Sequence, residues 1–424
     1  MLDLFPDTAR IEDGELTLGG VGAAALAERF GTPVVVYCEE TIRARARAMV
    51  EAAPEATIAY GSKAFPNVAI LRVLREEGVQ ADVASVGELA FARAAGHAGL
   101  GIVVHGNNKP DELLHEAGRE GAIVVLDDAE EVARAAEARV RNVLVRITLG
   151  VEADTHESIK TGHHGSKFGV PPERALAMVR EGLERGLDLL GVHLHVGSQV
   201  SGVESHCEAI ELVGAWTAEA RDTLGWVPRI VNLGGGFPVR HVPAEKAPPL
   251  GPIVRDLVNA VQWAFDEIGL QRPAVYFEPG RALVGQAGVT LYAVGSVKRL
   301  PGVTWVAVDG GMSDNPRPAL YDARYTALSA LRADDAHDVR VSLAGLHCES
   351  GDVLIDDVSL PDPHRGDLLA VPATGAYTLG MSSNYNATPR PAAVLVRGGE
   401  STLIRRRETI DDLLRLELSP SAGA

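Results

Sequence analysis

Short apolar runs recur along the first two-thirds of the chain, and each gives way to a polar or glycine turn and then to a longer amphipathic stretch. The runs fall at residues 57–60, 81–84, 101–105, 123–126, 142–147, 189–195, 229–233 and 274–277. Between them lie helix-patterned stretches at 67–77, 86–95, 110–120, 129–139, 172–185, 205–224 and 250–268. Strands alternating with helices of this length predict an α/β protein whose eight parallel units close a TIM-type (β/α)8 barrel. An open doubly wound sheet is the alternative, although it usually has fewer strands. Ahead of the barrel the pattern predicts a helical piece at 21–30 ended by Gly31, a strand at 33–38 and an Arg/Ala-rich helix at 41–53.

From Gly288 the rhythm changes. Runs at 289–296, 305–308, 340–344, 368–371, 392–397 and 401–405 are strand-like with few helices between them, which predicts a second, mainly β domain, sandwich-like or barrel-like. The strand around Val34 precedes the barrel and would otherwise be a ninth strand, so it is assigned to the β domain. The expected division is an N-terminal segment 1–38 contributing to the β domain, a barrel at 39–287 and a C-terminal β domain at 288–424.

A length of 424 residues agrees with two domains. The 40 basic and 57 acidic residues leave a net charge of −17, which disfavours nucleic acid and anionic membrane as partners but permits a small anion held by a local field. Cys38, Cys207 and Cys348 are far apart, with no CxxC spacing, so neither a metal site nor a disulfide framework is expected and a reducing cytoplasm is. The first residues, Met1 to Pro6, lack the segments of an export signal, and the weakly polar stretch at 282–297 is too short to span a bilayer.

The candidate chemistry gathers where barrel strands end. Lys63 falls just past the first run, and a lysine whose pKa is lowered by burial or nearby cations condenses with aldehydes. Alone it reads as a solvated lysine at a strand end. Barrel enzymes commonly bind phosphate in the loops after strands seven and eight. There the chain carries Gly234, Gly235 and Gly236, which let backbone N–H groups approach an anion, and then Glu278, Pro279, Gly280 and Arg281. The sixth run ends in His193, Leu194, His195, Val196, Gly197 and Ser198, and strand alternation puts His193 and His195 on one inward face. No third ligand of suitable type lies nearby in sequence, so no metal is expected. A structural inward histidine is the plain alternative to an imidazole stacked on a planar ring, with the Ser198 hydroxyl on a phosphate.

A lysine nucleophile, a phosphate cradle, a stacking platform and a carboxylate are the parts a pyridoxal phosphate site requires. A glutamate facing the pyridine nitrogen keeps it protonated, so the ring can accept the electrons of a breaking Cα bond. Tyr60-Gly61-Ser62-Lys63-Ala64, Ala81-Asp82-Val83-Ala84-Ser85, His193-Leu194-His195-Val196-Gly197-Ser198-Gln199, Gly234-Gly235-Gly236-Phe237, Glu278-Pro279-Gly280-Arg281, Arg317-Pro318-Ala319-Leu320-Tyr321 and Cys348-Glu349-Ser350-Gly351-Asp352 follow one another in the order of a known family. Over nearly its whole length the chain resembles the alanine-racemase-fold pyridoxal phosphate-dependent decarboxylases.

That resemblance implies pyridoxal 5'-phosphate as cofactor. It implies Lys63 as the Schiff-base lysine, His195 stacked on the ring, Glu278 as the pyridinium partner, and Ser198, Gly234, Gly235, Gly236, Gly280, Arg281 and Tyr377 as phosphate or site contacts. Cys348 is similar to the residue that returns a proton after carbon dioxide leaves. It also implies a homodimer in which Cys348 and Glu349 reach into the partner's barrel. Arg281 and Arg317 are forked carboxylate binders, Tyr321 and Tyr377 can donate hydroxyls and Glu349 can take an ammonium. Such a set suits an amino-acid group at the far end of the substrate, which meso-diaminopimelate has and ornithine or lysine lacks, and the expected products are L-lysine and carbon dioxide. The alternatives are a decarboxylase for a carrier-bound or specialised amino acid, a racemase, which in this fold pairs the ring nitrogen with arginine, and a non-catalytic relative, which would have lost Lys63 or Cys348. Read alone, Arg317 is an exposed Pro-flanked turn, Cys348 a buried small hydrophobe and Tyr377 a packing residue. The stretch at 150–169, with His156, His163 and His164, reads as a lid or as plain exposed loop.

Overall fold

In the computed structural model, which describes residues 1–151, 166–197, 199 and 202–418, the eight apolar runs are eight parallel strands. They are Thr57–Gly61, Gln80–Val83, Ile102–Val104, Ile123–Leu126, Asn142–Arg146, Asp188–His193, Ile230–Asn232 and Ala274–Phe277, numbered strands 1 to 8 below. The sheet closes on itself, strand 8 pairing with strand 1 through Tyr276 with Thr57 and Phe277 with Ile58. Parallel strands are covered on both faces, which is why Ile123–Leu126 is buried at every position. Ala59, Val103, Ile123, Val125, Leu144 and Ile230 fill the barrel interior, Ile123 and Val125 pointing inward with the period of two.

Helices Val68–Glu76, Val86–Ala94, Asp111–Glu120, Glu130–Glu137, Pro172–Glu184, Glu204–Leu224 and Leu250–Glu267 return the chain between strands. Their starts are set by local chemistry. The Asn67 side chain accepts the N–H groups of Ala69 and Ile70 at 2.9 and 3.2 Å, and the Ser85 hydroxyl accepts that of Glu88 at 3.1 Å.

By packing, the chain divides into a barrel unit, Ile42–Val239 with Lys246–Leu283, and a second unit, Met1–Thr41 with Arg240–Glu245 and Val284–Ala424. In the second unit Val34–Cys38 pairs antiparallel with Gly288–Leu300 and parallel with Ala392–Arg397, so the early strand does join the β sheet. The order across the sheet is Val353–Leu360, Val339–Ala344, Val303–Val308, Gly288–Leu300, Val34–Cys38, Ala392–Arg397 and Glu400–Arg405. Alternation along the long central strand serves two cores: Val289 and Leu291 enter one, Tyr292 and Val294 the other. Sequence patterning missed Val353–Leu360, where the exposed Asp356 and Asp357 and shifts of register interrupt the alternation. It also missed the small sheet Arg10–Glu12, Glu15–Leu18 and Val21–Gly22, so the first helix runs Ala23–Phe30 and not from Val21. Among the described residues no helix is long and apolar enough to cross a membrane.

Candidate active site

All eight parallel strands end at one face of the barrel, and the buried His193, Asn232 and Glu278 lie at or just past strand ends there. Lys63 occupies the short turn Ser62–Ala64 that follows strand 1 and is exposed. The turn is pinned on both sides: the buried Ser62 hydroxyl donates to the Asp82 carbonyl at 2.7 Å, and the Tyr60 hydroxyl accepts the Phe65 N–H at 3.1 Å. Asp82 on strand 2 is buried, and burial pushes its carboxyl up to about 6 against the attraction of His105 and Lys63.

Glu278, just past strand 8, is the centre of the cluster. Its Oε1 accepts His105 Nε2 at 2.7 Å and Asn232 Nδ2 at 2.6 Å, and its Oε2 accepts His193 Nε2 at 3.1 Å. Burial by itself raises a carboxyl, but here the hydrogen bonds from His105 and His193 outweigh it and hold Glu278 well below the usual carboxylate range. His193 is pushed down to about 3 by burial, so it is neutral at physiological pH. The His105 and His193 rings meet edge to face, their centroids 4.8 Å apart. Burial, then the charges of Arg146 and Lys63, also hold His195 well below the ordinary range. Arg146, at the end of strand 5, faces Asp127 at 3.5 Å and lies over the Phe168 ring at 4.7 Å.

The glycine turn is wedged between these groups. A Cβ on Gly235 would lie 2.4 Å from the Glu278 carbonyl oxygen, and one on Gly234 would lie 2.6 Å from both His195 Nδ1 and the Leu194 carbonyl oxygen. The turn is not simply a row of amides open to an anion. The Gly234 N–H donates to Asn232 Oδ1 at 2.9 Å and the Gly235 N–H to His195 Nδ1 at 3.2 Å. The Gly61 N–H donates to the Pro279 carbonyl at 3.1 Å, tying strand 1 to the turn that carries Gly280 and Arg281.

His193 and His195 both reach the polar cluster at the mouth, but each has its own partner. Strand 6 stops at His193, whose imidazole turns to Glu278, while His195 turns to the glycine loop. The third potential ligand that the sequence did not offer is present in space: the ligand atoms of His105, His193 and Glu278 lie within 4.8 Å of one another. As they stand, Glu278 accepts hydrogen bonds from both imidazoles. His105, Asp82, Arg146 and Asn232 were not singled out as site residues. Their signal was a polar residue at the end of an otherwise apolar run.

In the second unit Arg317 is buried, not an exposed turn. It begins the short helix Arg317–Tyr321, donates to the Tyr325 hydroxyl at 2.5 Å and meets His241 Nε2 at 3.0 Å. Tyr321 on that helix is half-buried. Cys348 and Glu349 are exposed, so the reading of a buried thiol falls. Their loop is shaped by buried Asp352, which accepts the N–H groups of Met312 at 2.6 Å and His347 at 2.8 Å. Tyr377 is half-buried with φ 59°, a left-handed conformation that costs a bulky residue strain and recurs at functional positions. Ser198 lies outside the described residues, as does most of the 150–169 stretch with His156, His163 and His164.

A closed (β/α)8 barrel whose mouth joins a lysine turn, a glycine turn and a buried ionised glutamate matches one class of enzyme. The family described as pyridoxal-dependent decarboxylase, pyridoxal binding domain, aligns with residues 39–285, and the chain belongs to it. Relatives 38–45% identical to it are diaminopimelate decarboxylases. It is 45% identical to the diaminopimelate decarboxylase of Bacillus subtilis over 97% of both chains. The diaminopimelate decarboxylase of M. jannaschii in complex with L-lysine superposes with a TM-score of 0.90 at 33% identity, covering 98% of each chain. The Helicobacter pylori enzyme complexed with L-lysine gives 0.85 at 29% identity, over 93% of this chain and 98% of that one.

Proposed function

We propose that the protein decarboxylates meso-diaminopimelate to L-lysine and carbon dioxide with pyridoxal 5'-phosphate, as a cytoplasmic homodimer. The observation that carries the decarboxylase reading is Glu278, an acid buried at the barrel mouth among three hydrogen-bond donors, where a racemase of this fold would offer arginine. The substrate is supported by the relatives' names and by the Cys348-Glu349 motif.

The barrel mouth fits the cofactor on its own geometry. The glycine turn brings its backbone close against His195 and Glu278 where a side chain would not fit, and Lys63 offers a primary amine. The residues that would hold the group are Lys63 at its aldehyde, His195 against its ring, Glu278 at its ring nitrogen, and Ser198, Gly234, Gly235, Gly236, Gly280, Arg281 and Tyr377 around its phosphate. When bound, pyridoxal phosphate supplies a conjugated ring that takes up the electron pair left on Cα as carbon dioxide departs.

The chain's own residues do the rest. Asp82, ionised above about pH 6, adds a second negative charge at the barrel mouth, facing Lys63 and His105. His195, uncharged, offers an aromatic face without competing for Glu278. The Glu278 anion favours a proton on the ring nitrogen. Cys348 returns a proton to Cα, so that carbon exchanges its carboxyl group for hydrogen and keeps its amine. Arg317 has further N–H donors beyond those spent on Tyr325 and His241, and with Tyr321, Tyr377 and Glu349 it would recognise the distal amino-acid group. Exposure of Cys348 and Glu349 suits residues that complete the site of a second copy. The test is carbon dioxide release with lysine identified as product, run against ornithine and lysine as substrates. Pure, cofactor-loaded protein that turns over none of the diaminopimelate ends this reading.

A further inference from the structure

We propose that His105 and His193 are positioning residues whose Nε2–H groups, with the Asn232 amide, hold the Glu278 carboxylate in place and leave it one open lone pair for the ring nitrogen of the cofactor. The inference rests on the reading that Glu278 is the partner of that nitrogen.

The argument is a count of donors and acceptors. An ionised carboxylate accepts at two positions on each oxygen. Among the described residues, Oε1 takes His105 and Asn232, whereas Oε2 takes only His193. One acceptor position on Oε2 is left. The orientations of the donors are fixed elsewhere. Asn232 accepts the Gly234 N–H on its Oδ1, so it must present its NH2 to Glu278. His193 is buried and its Nδ1 has no partner among the described residues, so a proton there would be an unpaired N–H; the proton belongs on Nε2, facing the glutamate. With Asn232 and His193 both committed as donors, the anion accepts all of them, and a protonated Glu278 could place its hydrogen only at the open Oε2 position that the ring nitrogen would use. His105 Nε2 lies 3.8 Å from Asp82 Oδ1 and 2.7 Å from Glu278 Oε1, so His105 is held between two carboxylates at the barrel mouth. A glutamate held by three donors cannot swing away or take up the proton it is meant to leave on the ring.

The experiment compares binding of pyridoxal phosphate with that of its 1-deaza analogue, in which a C–H replaces the ring nitrogen, by fluorescence titration of apo-protein. The proteins are wild type, His105→Leu, His105→Gln, His193→Leu and Glu278→Gln. Wild type is expected to prefer the natural cofactor. His105→Leu should cut that preference roughly tenfold while leaving the analogue's affinity within about twofold, and His105→Gln, which restores a neutral N–H donor, should recover it. His193→Leu should behave like His105→Leu and decides the matter if that variant does not fold. Equal weakening of both ligands, or an unchanged preference, would overturn the positioning role. A wild type that binds both alike, with Glu278→Gln changing neither, would sink the assignment of Glu278 itself and the inference with it.

Discussion

Replacing Gly235 by alanine asks whether the barrel mouth is one rigid assembly. The new Cβ would lie 2.4 Å from the Glu278 carbonyl oxygen, whereas ordinary contact begins at 3.4 Å, so the turn and the end of strand 8 must part by about 1 Å. The obstructing atom is backbone and cannot step aside as a flexible side chain would. Separation also stretches the bond from the Glu278 N–H to the Gly234 carbonyl, now 2.7 Å. Overpacking of this kind costs ~1–3 kcal/mol and a weakened hydrogen bond ~1 kcal/mol more, so ~2–4 kcal/mol of stability should be lost. A shift of ~1 Å between groups that must meet one cofactor lowers kcat/KM by roughly 100-fold. Urea denaturation and turnover of diaminopimelate measure the two effects. Gly101→Ala is the control, since a Cβ there meets nothing within 4 Å and no positive φ is involved. A Gly235→Ala protein with wild-type stability and wild-type kcat/KM would refute the wedge, and an equal loss in the control would show that the clash is not its cause.

The remaining predictions concern stability. Lys109 Nζ pairs with Glu131 Oε2 at 2.8 Å with both side chains fully buried, so Lys109→Met should cost ~3–5 kcal/mol by leaving the glutamate charge unpaired. Adding Glu131→Gln should recover part of that loss, and urea denaturation of both proteins checks it. Burial raises the Asp314 carboxyl to about 7 from an unfolded value of 3.8. Its contribution is therefore complete below pH 3.8 and lost as pH rises through 7, a change of about 4 kcal/mol. Asp314→Asn should flatten that stretch of the stability–pH curve; a slope equal to wild type would contradict the assignment. In the helix Glu204–Leu224 a Cβ on Gly214 would make only an ordinary 3.8 Å contact with Ala264, so Gly214→Ala should stabilise by up to ~1 kcal/mol in thermal melts.

The barrel strands were legible in the sequence to within a few residues because parallel strands covered on both faces must be near-continuous apolar runs. Lys63, the glycine turn, Glu278 and the motif order could also be read directly, since each is a contiguous stretch with its own chemistry. The second unit was less legible. Val353–Leu360 breaks its alternation with Asp356 and Asp357, and nothing local marks Arg240–Glu245 as packing with that unit. Only the folded chain decided what Glu278 touches. His105 lies 173 residues away in sequence, and no period of two or 3.6 relates them. Barrel closure brings the ends of strands 3, 6, 7 and 8 to one mouth, and that turns polar residues at the ends of separate apolar runs into a hydrogen-bonded cluster around a single carboxylate. Local patterning reports which face of an element is buried; which buried polar groups meet is set by how the elements close in three dimensions.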